Sequence, residues 1–155
     1  MKVLISSSEM EAQLERYLHE NIPLTRAMGL KVIFANPERV LIECPLEPNV
    51  NLHGTAFGGS IVALATITGW LWIHVYMRER KQTPKLVISE STMQYMEPVT
   101  GPFSAELRAP SDKIIRSFTQ TFDRRGSARI DLHVSVLSAG EEVGLFKGTY
   151  AALKT

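Results

Sequence analysis

Two adjacent glycines, with an asparagine seven residues ahead of them, are the residues of this chain best suited to do chemistry. In Asn51-Leu52-His53-Gly54-Thr55-Ala56-Phe57-Gly58-Gly59, the Gly58-Gly59 pair opens a long apolar run. A helix that starts on bare glycines presents unobstructed backbone N–H groups and the positive end of its dipole. Asn51 can add a side-chain N–H. Such donors stabilise a carbonyl oxygen that becomes anionic, either under attack or as an enolate forms. Losing one of them typically costs about 100- to 1000-fold in turnover.

Two side chains could move a proton nearby. His53 lies in the loop itself. It reads either as a donor or base, or as a histidine making a structural hydrogen bond. Glu90, in Ile88-Ser89-Glu90-Ser91, reads either as a base facing a pocket or as a solvent-facing strand residue. Thr66 lies within the apolar run, and no Asp or Glu occurs between Glu47 and Glu79. A threonine is no general base unaided. It either lines the pocket or bonds back to the Val62 carbonyl. Asn49 reads as a loop-shaping residue. Cys44, the one cysteine, reads as a small buried strand residue, with a nucleophile as the alternative. His19, His74 and His133 fall in separate elements without ligand-like spacing, so no metal is expected. Trp70, Trp72 and Tyr76 read as core or subunit-contact residues.

The elements that must hold these residues can be outlined. Ser8 to Asn21 reads as an amphipathic helix, with Ser8 and Glu11 as a capping box. Met10, Leu14, Tyr17 and Leu18 form its apolar stripe, and Pro23 ends it. Leu30 to Phe34 and Arg39 to Leu46 read as strands about a turn at residues 35–38, followed by a polar loop over Glu47 to Thr55. A helix apolar on all sides runs from about Gly58 to Arg80. Strands follow at Leu86 to Tyr95, Phe103 to Ala109, Ile114 to Asp123, Ala128 to Ser138 and Val143 to Leu153, separated by Gly- and Pro-bearing turns. Helix, two strands, long helix, then strands only: this order predicts an α+β fold whose mostly antiparallel sheet curls around the long helix.

Composition agrees. The 155 residues suit one domain over 1–155, and no repeat or linker is visible. Seventeen basic residues meet sixteen acidic ones, which gives no support for nucleic-acid binding. The run from Ile61 to Met77 nears the length of a membrane span. In a strand-rich chain it reads as a core helix, and no membrane association is expected. A single cysteine fits a reducing cytoplasm. The apolar part of Met1 to Ile5 is too short for a signal peptide.

The loop also resembles a known family. Hot-dog-fold thioesterases commonly carry an Asn, then six residues on a His-Gly-Gly that enters the central helix. Here Asn51, Gly58 and Gly59 match, and Phe57 stands at the His position. Tyr95-Met96-Glu97-Pro98 resembles the strand end that lines the hot-dog pocket. The fuller string from Asn49 through Ser60, with Gly69-Trp70 beyond, resembles a narrower putative-thioesterase subfamily that includes malonyl-acyl-carrier-protein decarboxylases. The resemblance implies a hot-dog fold and an acyl thioester substrate on coenzyme A or acyl carrier protein. Phosphopantetheine then enters with the substrate, and no separate cofactor is required. It also implies a homodimer or dimer of dimers with pockets at the subunit boundary.

Many such hydrolases place an Asp or Glu nine residues after the His position, and here that position is Thr66. The missing acid fits decarboxylation of a malonyl group, in which the leaving carboxylate supplies the electrons. The expected catalytic set is Asn51, Gly58, Glu90, His53 and Thr66. Asn49, Thr55, Phe57, Gly59, Ser60 and Tyr95 are the expected substrate contacts. Arg124 and Arg125 are candidates for coenzyme A phosphates or an acidic carrier. Hydrolysis with Glu90 or His53 as base is the alternative, and a non-catalytic acyl-thioester binding module is a third reading.

Overall fold

The computed structural model describes residues 6–155. The signal-peptide reading of residues 1–5 therefore lies outside the described residues. Helix α1 (Ser7–Asn21) is capped by Ser6, whose hydroxyl accepts from Glu9 N while Glu9 accepts from Ser6 N at 2.8 Å. The capping box thus falls two residues before the expected Ser8–Glu11 pair. Of the expected stripe, Leu14 and Leu18 are buried, while Met10 and Tyr17 stay exposed. Pro23 opens a short second helix, α2 (Pro23–Ala27), where its missing N–H costs nothing.

Strands β1 (Lys31–Ala35) and β2 (Arg39–Cys44) form a hairpin. Asn36 Oδ1 closes its turn by accepting from Glu38 N and Arg39 N, each at 2.9 Å. The long helix α3 (Gly58–Glu79) follows, then β3 (Lys85–Tyr95) and β4 (Phe103–Arg108). Helix α4 (Asp112–Arg125) leads to β5 (Ser127–Ser138) and β6 (Glu141–Leu153).

The expected strand over Ile114 to Asp123 is wrong: these residues lie inside α4. Ser111 caps the helix, Asp112 sits in its first turn, and Arg124 and Arg125 sit in its last. Gly126 ends it at φ 73°, a left-handed conformation that suits glycine. Phe118 and Phe122, four residues apart, face the core. The β-branched Ile114, Ile115 and Thr119 favoured strand locally, and packing of the phenylalanine stripe overrode them.

The six strands form one antiparallel sheet in the order β1-β2-β4-β5-β6-β3. It curls around α3, as expected of a hot-dog fold. The inward residues of β5 (Ala128, Ile130, Leu132, Val134 and Val136) alternate with exposed ones. The helix buries Leu64, Leu71, Trp72, Ile73 and Met77, and Trp72 Nε1 donates to the Pro37 carbonyl at 2.9 Å. Its sequence is long and apolar enough to cross a membrane, yet here it packs against the sheet. Gly69 is required by close approach, because a Cβ there would run into the buried Tyr150 ring. Strand β3 differs from the others. It pairs only with β6 and is largely exposed on both faces.

Candidate active site

The loop between β2 and α3 folds back on itself through a bridge between Val50 and Ala56. A 3-10 turn over Glu47–Asn49 starts it. Asn49 is buried and acts as a staple. Its Nδ2 donates to the carbonyls of Met28 and Pro45 at 2.9 and 2.8 Å, and its backbone carbonyl accepts from Phe57 N at 2.7 Å, while its Oδ1 is buried without a partner among the described residues. Its side chain therefore shapes the loop instead of lining a substrate surface.

Asn51 organises the tip. Its Oδ1 accepts from His53 N and Thr55 N, while its Nδ2 donates to Thr55 Oγ1 at 2.8 Å. An amide nitrogen carries two hydrogens, and the second has no partner among the described residues. Thr55 thus orients Asn51 and leaves one donor over. The His53 side chain is exposed at the tip, and Gly54 beside it turns at φ 77°. Ala56 N donates to the Val99 carbonyl at 2.8 Å, which ties the loop to the segment after β3.

Phe57 is the N-cap of α3 and offers no side-chain cap. The N–H groups of Gly58 and Gly59 fall in the first turn, where no intrahelical acceptor exists. No other described atom accepts from them. Ser60 N and Ile61 N, by contrast, both donate to the Phe57 carbonyl. The glycines matter sterically too. A Cβ on Gly59 would run into the Phe57 ring, and one on Gly58 would meet the Tyr95 ring at 3.4 Å. Tyr95 closes the site from the end of β3, its hydroxyl donating to the Gly58 carbonyl at 3.0 Å. Asn51, Thr55, Phe57, Gly58, Gly59, Ser60 and Tyr95 therefore gather at one end of α3, with unused donors in their midst.

The other expected residues lie elsewhere in the chain. Thr66 donates to the Val62 carbonyl at 2.8 Å. Eight residues of helix place it about 12 Å along the axis from Gly58. Glu90 is exposed at an irregularity of β3 opposite Thr149, five residues or about 16 Å of strand from Tyr95. Arg124 and Arg125 are exposed on the last turn of α4. Cys44 is fully buried, and that burial, helped by Glu43, pushes its thiol up to about 12, so a thiolate nucleophile is ruled out near neutral pH.

One constellation was not anticipated. Tyr17, Trp70 and His74 stack, with Trp70 and His74 ring centroids 4.8 Å apart. They line a cavity of about 450 Å³ with Arg78, Gln82 and Leu86. Burial, and secondarily the Arg78 charge, lowers the His74 pKa to about 4, and its Nε2 is buried without a partner among the described residues. The four-residue spacing of Trp70, His74 and Arg78 on α3 was its sequence signal.

Comparison with known proteins gives the family and the fold. A family model described as "Putative thioesterase (yiiD_Cterm)" matches residues 11–154. A protein of unknown function from Chlorobaculum tepidum has a similar structure, with 28% identity, a TM-score of 0.90, and coverage of 97% of this chain and 98% of that one. A putative thioesterase from Shewanella oneidensis is 26% identical with a TM-score of 0.84, covering 94% and 99% respectively. A probable thioesterase from Pseudomonas aeruginosa, 23% identical over 93% and 96% with a TM-score of 0.79, shares the fold.

Proposed function

We propose, from the premise that this chain belongs to the putative thioesterase family, that it decarboxylates a malonyl thioester, with malonyl-acyl carrier protein as substrate. The observation that carries the reading is the pair of acceptor-free N–H groups at Gly58 and Gly59, with a half-used Asn51 amide in the loop that leads into them, on a helix with no carboxylate before Glu79. The thioester oxygen would sit on these donors. The C–C bond to the free carboxylate breaks, carbon dioxide leaves, and the electron pair becomes an enolate held at that oxygen. Protonation from solvent then gives the acetyl thioester. A carboxylate near the malonyl group would repel it, so a site without one suits this substrate.

Hydrolysis is the second reading. The family description and the unengaged imidazole of His53 at the loop tip favour it. Incubating the purified protein with malonyl-acyl carrier protein separates the two. Acetyl-carrier product with carbon dioxide supports decarboxylation. Free malonate and free thiol without acetyl product overturn it in favour of hydrolysis.

The working unit in this reading is a homodimer. Strand β3 has an open edge and exposed apolar residues on both faces, Val87 and Ile88 among them. Antiparallel pairing of β3 with its copy about Glu90 would lay the copy's Tyr95 end against this chain's Lys85 end. The helix start of one chain would then approach the far half of α3 in the other, where Trp70 and His74 lie.

A further inference from the structure

Strand β5 pairs with β6 along its whole length, but with β4 only where Ser135–Leu137 face Ser104–Glu106. Residues 127–134 therefore have no ladder partner on the β4 side. The sheet opens there because β4 parts from β5 after Glu106 while staying paired with β2 through Arg108, and α4 packs into the gap through Phe118 and Phe122. The gap is not filled. A cleft of about 840 Å³ remains between α4 and the strand.

Its lining shows how it is oriented. Consecutive residues Arg129 through His133 all contribute, although Ile130 and Leu132 point into the core and Arg129, Asp131 and His133 point out. Residues of both faces line one cleft only when the cleft views the strand edge-on, where its backbone N–H and C=O groups project. Five residues of edge span about 16 Å. Across the cleft, α4 presents Lys113, Ser117 and Ile114, the last 46% exposed for an apolar residue.

The rim is cationic. Arg108, Lys113 and Arg129 face the cleft, and neither Lys113 nor Arg129 has an ion-pair partner among the described residues. The one lining acid, Asp131, is engaged by Thr149 at 2.6 Å and by Lys147. A free strand edge facing a helix across a groove is the arrangement that accepts an extended peptide as an added strand. The charge selects an acidic one.

We infer that the cleft between α4 and the unpaired edge of β5 binds an extended acidic segment of a partner protein by strand addition, with Lys113 and Arg129 reading its charge. Nothing in this requires the thioester reading, since the cleft and the Asn51–Gly58 loop share no residue.

The probe is the hexapeptide acetyl-Glu-Val-Glu-Val-Glu-Val-amide, titrated into the whole protein and followed by backbone amide NMR. Saturable binding, with shifts and slowed hydrogen exchange at residues 129–133, is the expected result. Methylating alternate peptide nitrogens removes ladder donors but no charge, and should weaken binding on the order of fivefold per lost bond. The Lys113→Glu, Arg129→Glu pair should weaken it on the order of tenfold or more. Ser117→Trp, which fills the cleft without altering charge, should abolish it, with circular dichroism verifying that each variant is folded. Absence of binding at millimolar peptide, equal affinity for the methylated peptide, or shifts confined to other surfaces would each overturn the inference.

Discussion

The Tyr95 hydroxyl donates to the Gly58 carbonyl at 3.0 Å, and its ring packs 3.4 Å from where a Gly58 Cβ would stand. The end of an edge strand thereby holds the first residue of the core helix, whose own N–H is left without an acceptor. Tyr95→Phe keeps the ring and removes the bond. Because Tyr95 is half exposed, stability should fall by no more than about 0.5–1 kcal/mol. Turnover should fall severalfold with little change in KM, since the loss is one of positioning. Thermal melts alongside steady-state kinetics check both.

Asn51 has two tasks that substitution can separate. Asn51→Ala removes the spare donor and also the acceptor of His53 N and Thr55 N. Asn51→Asp keeps the acceptor while replacing the donor with a negative charge. Both should cost about 100-fold or more in kcat on a malonyl thioester, and the aspartate variant should keep the higher melting temperature. A non-catalytic binding module would instead show no turnover to lose.

His74 sets a pH dependence. Its pKa is depressed by burial to about 4 from an ordinary 6.5, so between those values the unfolded chain holds more protons than the folded one. Stability contributed by the neutral imidazole is therefore full above pH 6.5 and falls as the pH drops towards 4. His74→Phe keeps a stacked ring and removes the titration. Its melting temperature should decline less than the wild type's across that window, as parallel melts from pH 7 to pH 4 would show.

The exposed β3 strand makes the oligomer testable. Val87→Asp with Ile88→Asp places a charge on each face of an already exposed strand. The folded chain should tolerate both, whereas a dimer built along that strand should dissociate. Light scattering after size exclusion reads the mass, and turnover should fall with it if the site spans two chains.

Gly69→Ala should be among the costlier single changes, because the new methyl meets the Tyr150 ring, whose hydroxyl donates to the Thr66 carbonyl at 2.6 Å. Overpacking of this kind costs about 1–3 kcal/mol, and a denaturant midpoint would report it.

The long helix was legible because no other local structure accommodates an apolar run of that length in a chain with turn signals on both sides. The donor loop was legible from Asn51 and the two glycines. Helix α4 was not, since its β-branched residues favour strand locally and only packing of Phe118 and Phe122 decides otherwise. Asn49 and Asn51 look alike in sequence, yet one is consumed by the carbonyls of Met28 and Pro45 while the other keeps a free hydrogen. That difference depends on residues distant in the chain. The Tyr17–Trp70–His74 stack joins two helices that are distant in the chain, for the same reason.

Helix α3 lies mid-chain, and its wrapping is completed only by β6, the last strand in chain order, which links β3 to β5. During synthesis the helix must therefore leave the ribosome well before its cover exists. For that interval a span-like apolar segment is unprotected, which makes this chain dependent on chaperone holding or on rapid collapse. Refolding at rising protein concentration should lose yield to aggregation more steeply than folding with a local core would allow.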